Sequence, residues 1–210
     1  MSDFIKNIAA LFPGPVNTTN YFRKSGLEVV FPFYHAVSDR EMLHLKHLYP
    51  IRTIKQFEQD LDYMLRYFQP MKLTEYLLGS IPRDPERIPM VLSFDDGLIQ
   101  CYDEVLPILI SKGVPAIFFV NNAFIDNHAM FFRFKDSLLI EKLEETSSTQ
   151  KLRAGQLLNC SEKDLRKRLL GISYVEREIA DQLAKAWDLS YEEYMQSHPV
   201  YLSSIQIRNM

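Results

Sequence analysis

The sequence predicts an α/β fold with parallel strands, joined to a segment that is helical throughout. Two apolar runs of strand length, residues 89–94 and 116–120, flank a helical pattern over residues 99–112. Strand, helix and strand at this spacing form a βαβ unit, in which both strands run in the same direction. Residues 130–200 show no convincing strand pattern but several helix-start signals. We therefore expect a parallel-stranded core with a helical insertion.

A third apolar run, residues 27–34, precedes this unit and predicts a strand that is buried on both faces. Pro32 lies inside the run and weakens the prediction, because proline cannot donate a hydrogen bond to a neighbouring strand. The stretch from Thr53 to Phe68 predicts a helix, since its apolar residues fall on one helical face and Gln56 follows Thr53 at capping-box spacing. A strand and a helix therefore precede the βαβ unit.

Composition and charge exclude several classes of function. The chain has 210 residues, of which 47% are apolar, so a sizeable core can be buried. It carries 24 Lys and Arg against 27 Asp and Glu, and this balance gives no electrostatic reason to expect a nucleic acid or an anionic membrane as partner. Cys101 and Cys160 form neither a disulfide framework nor a CxxC metal site, so we expect two reduced thiols.

Targeting signals are absent from the sequence as written. No apolar run approaches the roughly 20 residues that span a bilayer. Residues 1–12 are amphipathic and interrupted by charge, unlike the basic start and continuous apolar stretch of a secretory signal. The sequence therefore predicts a cytoplasmic protein without a membrane span, and it leaves association with the cell envelope open.

Four segments are predicted along the chain. Residues 1–26 are expected to form a short helix and a loop, residues 27–129 the α/β portion, and residues 130–200 the helical insertion. Residues 201–210 begin a further helix, because Ser203 opens a capping-box pattern. A helix this short is marginal on its own, so we expect the polypeptide or its domain to continue.

The feature that carries chemistry is a pair of adjacent carboxylates, Asp95 and Asp96, directly after an apolar strand and before Gly97. In parallel α/β folds, ligands gather at the carboxyl ends of strands. Adjacent side chains on a strand face opposite ways, so both carboxylates can face one site only if the strand has ended there. Gly97 supplies the backbone freedom for such a turn.

Two carboxylates this close repel each other, which raises one pKa unless a cation lies between them. A divalent metal would relieve the repulsion, with one aspartate as its ligand and the other as a base toward a metal-bound water. From spacing alone, an acidic loop or a helix N-cap explains the pair equally well. The residues by themselves leave these alternatives open.

The segment Ser-Phe-Asp-Asp-Gly at residues 93–97 resembles the first motif of the polysaccharide deacetylase family, the NodB-like domains of carbohydrate esterase family 4. Its neighbours fit the family in order. Tyr-His-Ala-Val at residues 34–37 and Gly-Val-Pro-Ala-Ile-Phe-Phe at residues 113–119 resemble flanking segments. Residues 201–210 resemble the helix that leads into the second motif. The resemblance covers roughly residues 28–125 and the last residues of the chain.

This resemblance implies a partial, distorted (β/α) barrel of the glycoside hydrolase and deacetylase type. It implies a hydrolase that releases acetate from N-acetylated glycans by breaking an amide carbon–nitrogen bond that is not a peptide bond. Asp95 corresponds to the general base and Asp96 to a ligand of a divalent metal, with zinc expected. His35 and Gly97 are further candidates beside the metal or the substrate, although a hydrogen-bonded structural histidine is the favoured interpretation of His35. The expected partner is a carbohydrate, and open sheet edges favour self-association.

The sequence departs from the family pattern in its histidines. The family completes its metal site with two histidines in a His-Ser/Thr-x-x-x-His-like motif. None of the histidines present has that context; they are His35, His44, His47, His128 and His198. A catalytic zinc site normally needs three protein ligands. The alternative hypothesis is therefore a truncated or degenerate, non-catalytic domain that acts as a glycan-binding or assembly partner, and this chain alone is expected to be inactive.

Two smaller patterns have a structural and a functional interpretation. His44 and His47 lie three residues apart, which suits a shared helix face, but a solvated loop pair is the favoured interpretation. Phe131, Phe132 and Phe134 suit either a sugar-binding surface or packing of the insertion, and packing is favoured. Haloacid-dehalogenase-type phosphatases, GxSxG hydrolases and P-loop proteins are excluded, because their motifs are absent.

Overall fold

The computed structural model describes residues 26–82, 84 and 86–210. These residues fall into two compact units. The described part of the first unit comprises residues 26–39, 51–82, 84, 86–125 and 201–210, and the second comprises residues 40–50 and 126–200. The helix predicted near the N-terminus lies outside the described residues.

The strands found among the described residues belong to the first unit and are short. They are β1 (Phe33–Tyr34), β2 (Phe68–Pro70), β3 (Ile88–Met90), β4 (Leu92–Phe94) and β5 (Ala116–Phe118). One sheet has the order β1-β4-β5 and the other pairs β2 with β3. All of these pairings are parallel, so the predicted βαβ unit is confirmed by the pairing of β4 with β5. The protein thus has an α/β fold, while the predicted partial barrel is not established by these sheets.

The predicted strand over residues 89–94 is in fact two strands in two sheets. Residues 88–90 pair with β2, whereas β4 pairs with β1 and β5. The predicted strand over residues 27–34 is also wrong in length. Apart from β1, it contributes an isolated bridge between Val30 and Met90, and Pro32 separates the two stretches. The prediction that residues 27–34 are buried on both faces is wrong as well, because Leu27, Phe31 and Phe33 are exposed. In both runs, the apolar pattern did not show which neighbour each residue pairs with.

Helices account for most of the remaining described residues. In chain order they are α1 (Leu43–Lys46), α2 (Ile54–Tyr67), α3 (Leu73–Leu77), α4 (Leu106–Lys112), α5 (Phe132–Leu143), α6 (Ser148–Leu157), α7 (Leu165–Leu170), α8 (Glu178–Ala186), α9 (Tyr191–Ser197) and α10 (Ser204–Asn209). A π-helical turn, Cys101–Val105, precedes α4, and 3₁₀ turns lie at Ile125–Asn127, Glu162–Asp164 and Tyr174–Glu176. No described helix is long and apolar enough to cross a membrane.

Helix α2 begins where the capping-box pattern predicts. The hydroxyl of Thr53 accepts a hydrogen bond from the Gln56 backbone N–H at 3.2 Å, and the Gln56 side chain accepts one from the Thr53 N–H at 3.1 Å. Phe57, Leu61 and Met64 are buried on one face of the helix. The cap therefore fixes the start of a helix whose apolar face lies in the core of the first unit.

Thr53→Ala is expected to lower the free energy of unfolding of the first unit by about 1 kcal/mol, because the Gln56 backbone N–H loses the hydroxyl that accepts its hydrogen bond. Thr74→Ala is the matched control, because Thr74 lies inside α3, whose N-cap position is occupied by Lys72. The control is expected to stay within about 0.5 kcal/mol of the wild type. Urea denaturation of both variants measures the difference, and equal losses would contradict the capping role of Thr53.

The core of the first unit surrounds β4. Leu92 and Phe94 have no exposed surface. The Phe94 ring lies between Tyr34 and Phe118, with centroid distances of 5.7 and 5.1 Å and nearly parallel planes in both pairs. These three aromatic residues belong to the last positions of β4, β1 and β5. The carboxyl ends of the three strands are therefore fixed by aromatic packing as well as by the sheet.

A network of polar side chains also fixes the end of β1. The Tyr34 hydroxyl donates a hydrogen bond to Asp60 at 3.0 Å, and the Arg52 guanidinium lies 2.8 Å from the same carboxylate. Burial, followed by the negative charge of Asp60, raises the pKa of Tyr34, so this hydroxyl remains a donor at ordinary pH. The residue that precedes His35 is therefore held in place by its main chain and its side chain.

The second unit contains only helices and turns among its described residues. Helix α1 packs against α5, and helices α7 and α8 also contact α5. The core of this unit is apolar and includes Leu139, Leu165, Ala180 and Trp187. One charged residue, Asp136 of α5, is fully buried beside it.

Candidate active site

Three parallel strands bring candidate residues to one edge of the sheet. His35 follows β1, Asp95 and Asp96 follow β4, and Phe119 follows β5. The Asp95 backbone N–H donates to the Tyr34 carbonyl at 2.9 Å, and the Phe119 N–H donates to the Phe94 carbonyl at 2.8 Å. The carboxyl ends of the strands are thus joined by hydrogen bonds up to the site. This edge is where parallel α/β folds bind ligands.

The strand ends at Phe94, and residues 95–97 form what we call the aspartate turn. Asp96 has φ of 70° and Gly97 has φ of 65°, so two consecutive residues adopt left-handed backbone. Aspartate tolerates this conformation better than most residues, and glycine adopts it freely. The turn therefore removes the strand alternation that would otherwise direct Asp95 and Asp96 to opposite faces.

Gly97 is required for a second reason, which is its close approach to β5. A β-carbon on Gly97 would lie 3.0 Å from Cγ1 of Val120 and 3.3 Å from its Cα. The backbone of Val120 follows β5 and cannot yield easily, so a side chain at position 97 would displace the aspartate turn. The structure thus gives Gly97 a conformational and a steric role, while its predicted role beside the substrate stays a prediction.

The charged groups at this edge influence one another. Burial raises the pKa of Asp96 above its ordinary value, the negative charge of Asp95 raises it further, and His35 opposes both effects. The structure therefore brings His35, Asp95 and Asp96 into one electrostatic group. A cation placed beside this group would favour the charged form of both carboxylates.

Cys101 is a neighbour of the site that the sequence did not indicate. It is the first residue of the π-helical turn after the aspartate turn, and its side chain is buried. Burial raises the pKa of its thiol to about 12, and the charges of Asp96 and Asp95 contribute to this rise. The thiol therefore stays protonated and is a poor metal ligand, since metals bind the thiolate. The sequence did not indicate this position of Cys101, because no known sequence pattern predicts a π-helical turn.

The remaining histidines belong to the second unit. His44 is buried, and its Nδ1 lies 3.1 Å from the Tyr194 hydroxyl. The imidazole of His47 contacts Glu141, and its Nδ1 lies 2.9 Å from Arg166. The interpretation of His44 and His47 as a solvated loop pair was therefore wrong, because both side chains make specific contacts within their unit.

The phenylalanines of the insertion show packing within the second unit. Phe134 is almost fully buried, and its ring lies 5.3 Å from the His44 ring and 5.4 Å from the Phe131 ring, measured between centroids. Phe131 also contacts Phe132 at 4.8 Å. Phe134 is therefore a core residue and not part of a sugar-binding surface.

A metal site requires a group of ligands. Within residues 26–82, 84 and 86–210, no three His, Cys, Asp or Glu side chains are placed to hold a metal ion together. The partly buried carboxylate of Asp96 suits one ligand position. A catalytic zinc site normally takes three protein ligands, so the described residues do not complete one.

Several solved structures resemble this chain. The deacetylase PplD of Streptococcus pyogenes, in complex with acetate, is 17% identical with a TM-score of 0.41 and covers 76% of this chain and 82% of its own. IcaB from Ammonifex degensii is 17% identical with a TM-score of 0.37, covering 78% and 82%. The BpsB deacetylase domain from Bordetella bronchiseptica is 20% identical with a TM-score of 0.32, covering 48% and 39%.

Sequence comparison gives a more specific result. No protein of curated function matches the chain. The family model described as polysaccharide deacetylase matches residues 83–158. This interval contains residues 93–97, which resemble the first motif of the family and include the whole aspartate turn. The resemblance of this chain to the polysaccharide deacetylase family is therefore confirmed over residues 83–158.

Proposed function

We propose that this chain carries part of the active site of a metal-dependent deacetylase that acts on N-acetylated glycans. The observation that carries the proposal is the aspartate turn at the carboxyl end of β4, which lies inside the segment that matches the family model. A strand end with two carboxylates and an imidazole in one electrostatic group suits the hydrolysis of an acetamide, because the reaction needs a base and a stabilised charge.

Asp95 is proposed as the general base. Its backbone is held by the hydrogen bond to Tyr34, while its partly buried side chain takes a proton from a water molecule. That water adds to the acetyl carbonyl carbon, and the amide carbon–nitrogen bond breaks as the leaving nitrogen takes up the proton that the water lost. The products are acetate and a free amine on the sugar. A general base of this kind contributes about 100- to 10,000-fold to a rate.

Asp96 is proposed as one ligand of a divalent metal, with zinc expected. Its raised pKa supports this role, because a neighbouring cation would reverse the effect of burial and of the Asp95 charge. Within the described residues no group of three ligands is present, so Asp96 is the one protein ligand that the proposal assigns.

The second candidate function is a non-catalytic glycan-binding or assembly partner with the deacetylase fold. The observation in its favour is the same lack of a three-ligand group among the described residues. A degenerate site would keep the aspartate turn for its structural role and would not release acetate.

Incubation with N-acetylglucosamine oligosaccharides and zinc separates the two functions. The proposed deacetylase releases acetate and free amine in equal amounts, and a chelator such as EDTA suppresses both. Glycan binding without acetate, measured by calorimetry under the same conditions, would support the non-catalytic alternative and contradict the proposal. Failure to bind or to hydrolyse the oligosaccharides would contradict both.

A further inference from the structure

A distant segment of the chain crosses the aspartate turn. Leu98 and Tyr201 form an isolated antiparallel bridge. The Leu202 backbone N–H donates a hydrogen bond of 2.9 Å to the Gly97 carbonyl. All of these residues belong to the first unit, although residues 126–200 separate them in sequence.

The crossing segment is itself firmly anchored. Tyr201 is buried, and its ring stacks on Phe124 with a centroid distance of 5.1 Å. Leu202 has no exposed surface and belongs to the core of the first unit. Ser203 then caps α10 by accepting a hydrogen bond from the Gln206 N–H at 3.1 Å. A rigid segment of this kind can hold another backbone in place.

The aspartate turn needs such support. A left-handed backbone is unfavourable for an L-residue such as Asp96 and persists only where the surrounding structure fixes it. Gly97 packs directly against Val120. Its carbonyl also accepts the hydrogen bond from the Leu202 N–H. The turn is thus fixed by contacts with the residue that follows β5 and with the crossing segment.

We propose that Tyr201 and Leu202 are positioning residues of the site. Their main-chain contacts with Gly97 and Leu98 hold Asp96 in its left-handed conformation and thereby direct its carboxylate. The catalytic consequence of this inference rests on the proposed deacetylase function, whereas the structural consequence does not. The site is therefore assembled from main-chain contacts between residues that precede and residues that follow the segment 126–200 in the sequence.

The test removes one hydrogen-bond donor and keeps the side chain. Replacing Leu202 by the corresponding α-hydroxy acid turns its amide into an ester, so the donor to Gly97 is lost. The control is the same replacement at Met71, a buried residue whose N–H donates to the Met90 carbonyl at 2.9 Å in the other sheet. The readouts are the one-bond Cα–Hα coupling of Asp96 by NMR, which separates positive from negative φ, and the kcat and KM of acetate release.

The ester at Leu202 is expected to shift the Asp96 coupling toward negative φ. It is expected to lower kcat by about 100-fold with little change in KM, because a displacement of about 1 Å at a reacting centre has an effect of that size. The Met71 ester is expected to lower Tm similarly and to leave the coupling and kcat unchanged. An unchanged Asp96 coupling in the Leu202 ester, or an equal change in the control, would overturn the proposal.

A second variant tests the same role if the Leu202 ester does not fold. Tyr201→Leu retains the backbone hydrogen bond and loses the ring contact with Phe124, so it is expected to shift the Asp96 coupling in the same direction by a smaller amount. If the Leu202 ester does not fold, this variant decides, and an unchanged coupling overturns the inference. If the wild-type chain releases no acetate, the proposed function fails while the coupling still reports on the positioning role.

Discussion

Asp95→Asn is expected to lower acetate release by about 100- to 10,000-fold, which is the range that a positioned general base contributes. Asparagine has nearly the same shape, and its backbone N–H can still donate to the Tyr34 carbonyl. The variant therefore keeps the aspartate turn and loses only the ability to take a proton from water. Steady-state rates on an N-acetylated oligosaccharide measure the loss, and circular dichroism checks that the fold is intact.

Asp103→Asn is the matched control for this prediction. Asp103 is an exposed carboxylate in the π-helical turn after the site, and the proposed mechanism gives it no role. The control is expected to keep the wild-type rate within about twofold, as for most surface substitutions. If Asp95→Asn retained a rate similar to that of the control, the assignment of Asp95 as the base would be wrong.

The second large effect concerns Asp136 in the core of the second unit. Its side chain is 0% exposed, and neither carboxylate oxygen has a hydrogen-bond partner. Arg133 lies 3.6 Å away, beyond the usual length of a strong ion pair. Burial raises the pKa of Asp136 to about 7, while Arg133 and Lys135 oppose the rise. A charged form of this carboxylate is therefore disfavoured in the folded unit.

The direction of the pH effect follows from proton binding. The pKa of Asp136 is about 7 in the folded chain and about 3.9 when the chain is unfolded. Between these values the folded state binds the extra proton, so the contribution of Asp136 to the free energy of unfolding is greatest below pH 4 and falls as the pH rises toward 7. At about 1.4 kcal/mol for each pKa unit, the loss from this residue amounts to at most about 4 kcal/mol.

Asp136→Asn is expected to remove most of this pH dependence and to stabilise the second unit above pH 7. Trp187 is the single tryptophan of the chain and is buried in this unit, so its fluorescence during urea denaturation reports on the unit directly. Asp181→Asn is the control, because Asp181 is an exposed carboxylate that pairs with Lys135 and should change stability by less than about 1 kcal/mol. The same pH slope in Asp136→Asn and the wild type would contradict the role of Asp136.

Local signals predicted the fold best. The capping boxes at Thr53 and Ser203 are both present, because the residues that make them lie within one helical turn. The pairing of strands was harder to predict from the sequence. Residues 88–94 form one apolar stretch, yet Met90 and Leu92 belong to different sheets, since their partners are set by distant parts of the chain.

In the site as well, features set by neighbouring residues were predictable and contacts between distant residues were not. Residues 95–97 are contiguous, so their turn and the need for glycine were predictable. The contribution of Leu202 was not, because it acts through its backbone N–H, which every residue other than proline carries. The burial of His44 depends on contacts such as that with Tyr194, which is 150 residues away, and no spacing rule reports it.

In the proposed site the two aspartates divide their roles, with Asp96 as a metal ligand and Asp95 as a base. Zinc affinity, measured by calorimetry on the wild type, Asp96→Ala and Asp95→Asn, tests this division most directly. Asp96→Ala is expected to weaken zinc binding by at least about tenfold, since even the loss of a residue that only supports a ligand has an effect of that size. Asp95→Asn is expected to leave the affinity nearly unchanged. Equal zinc affinity in the wild type and Asp96→Ala would contradict the claim.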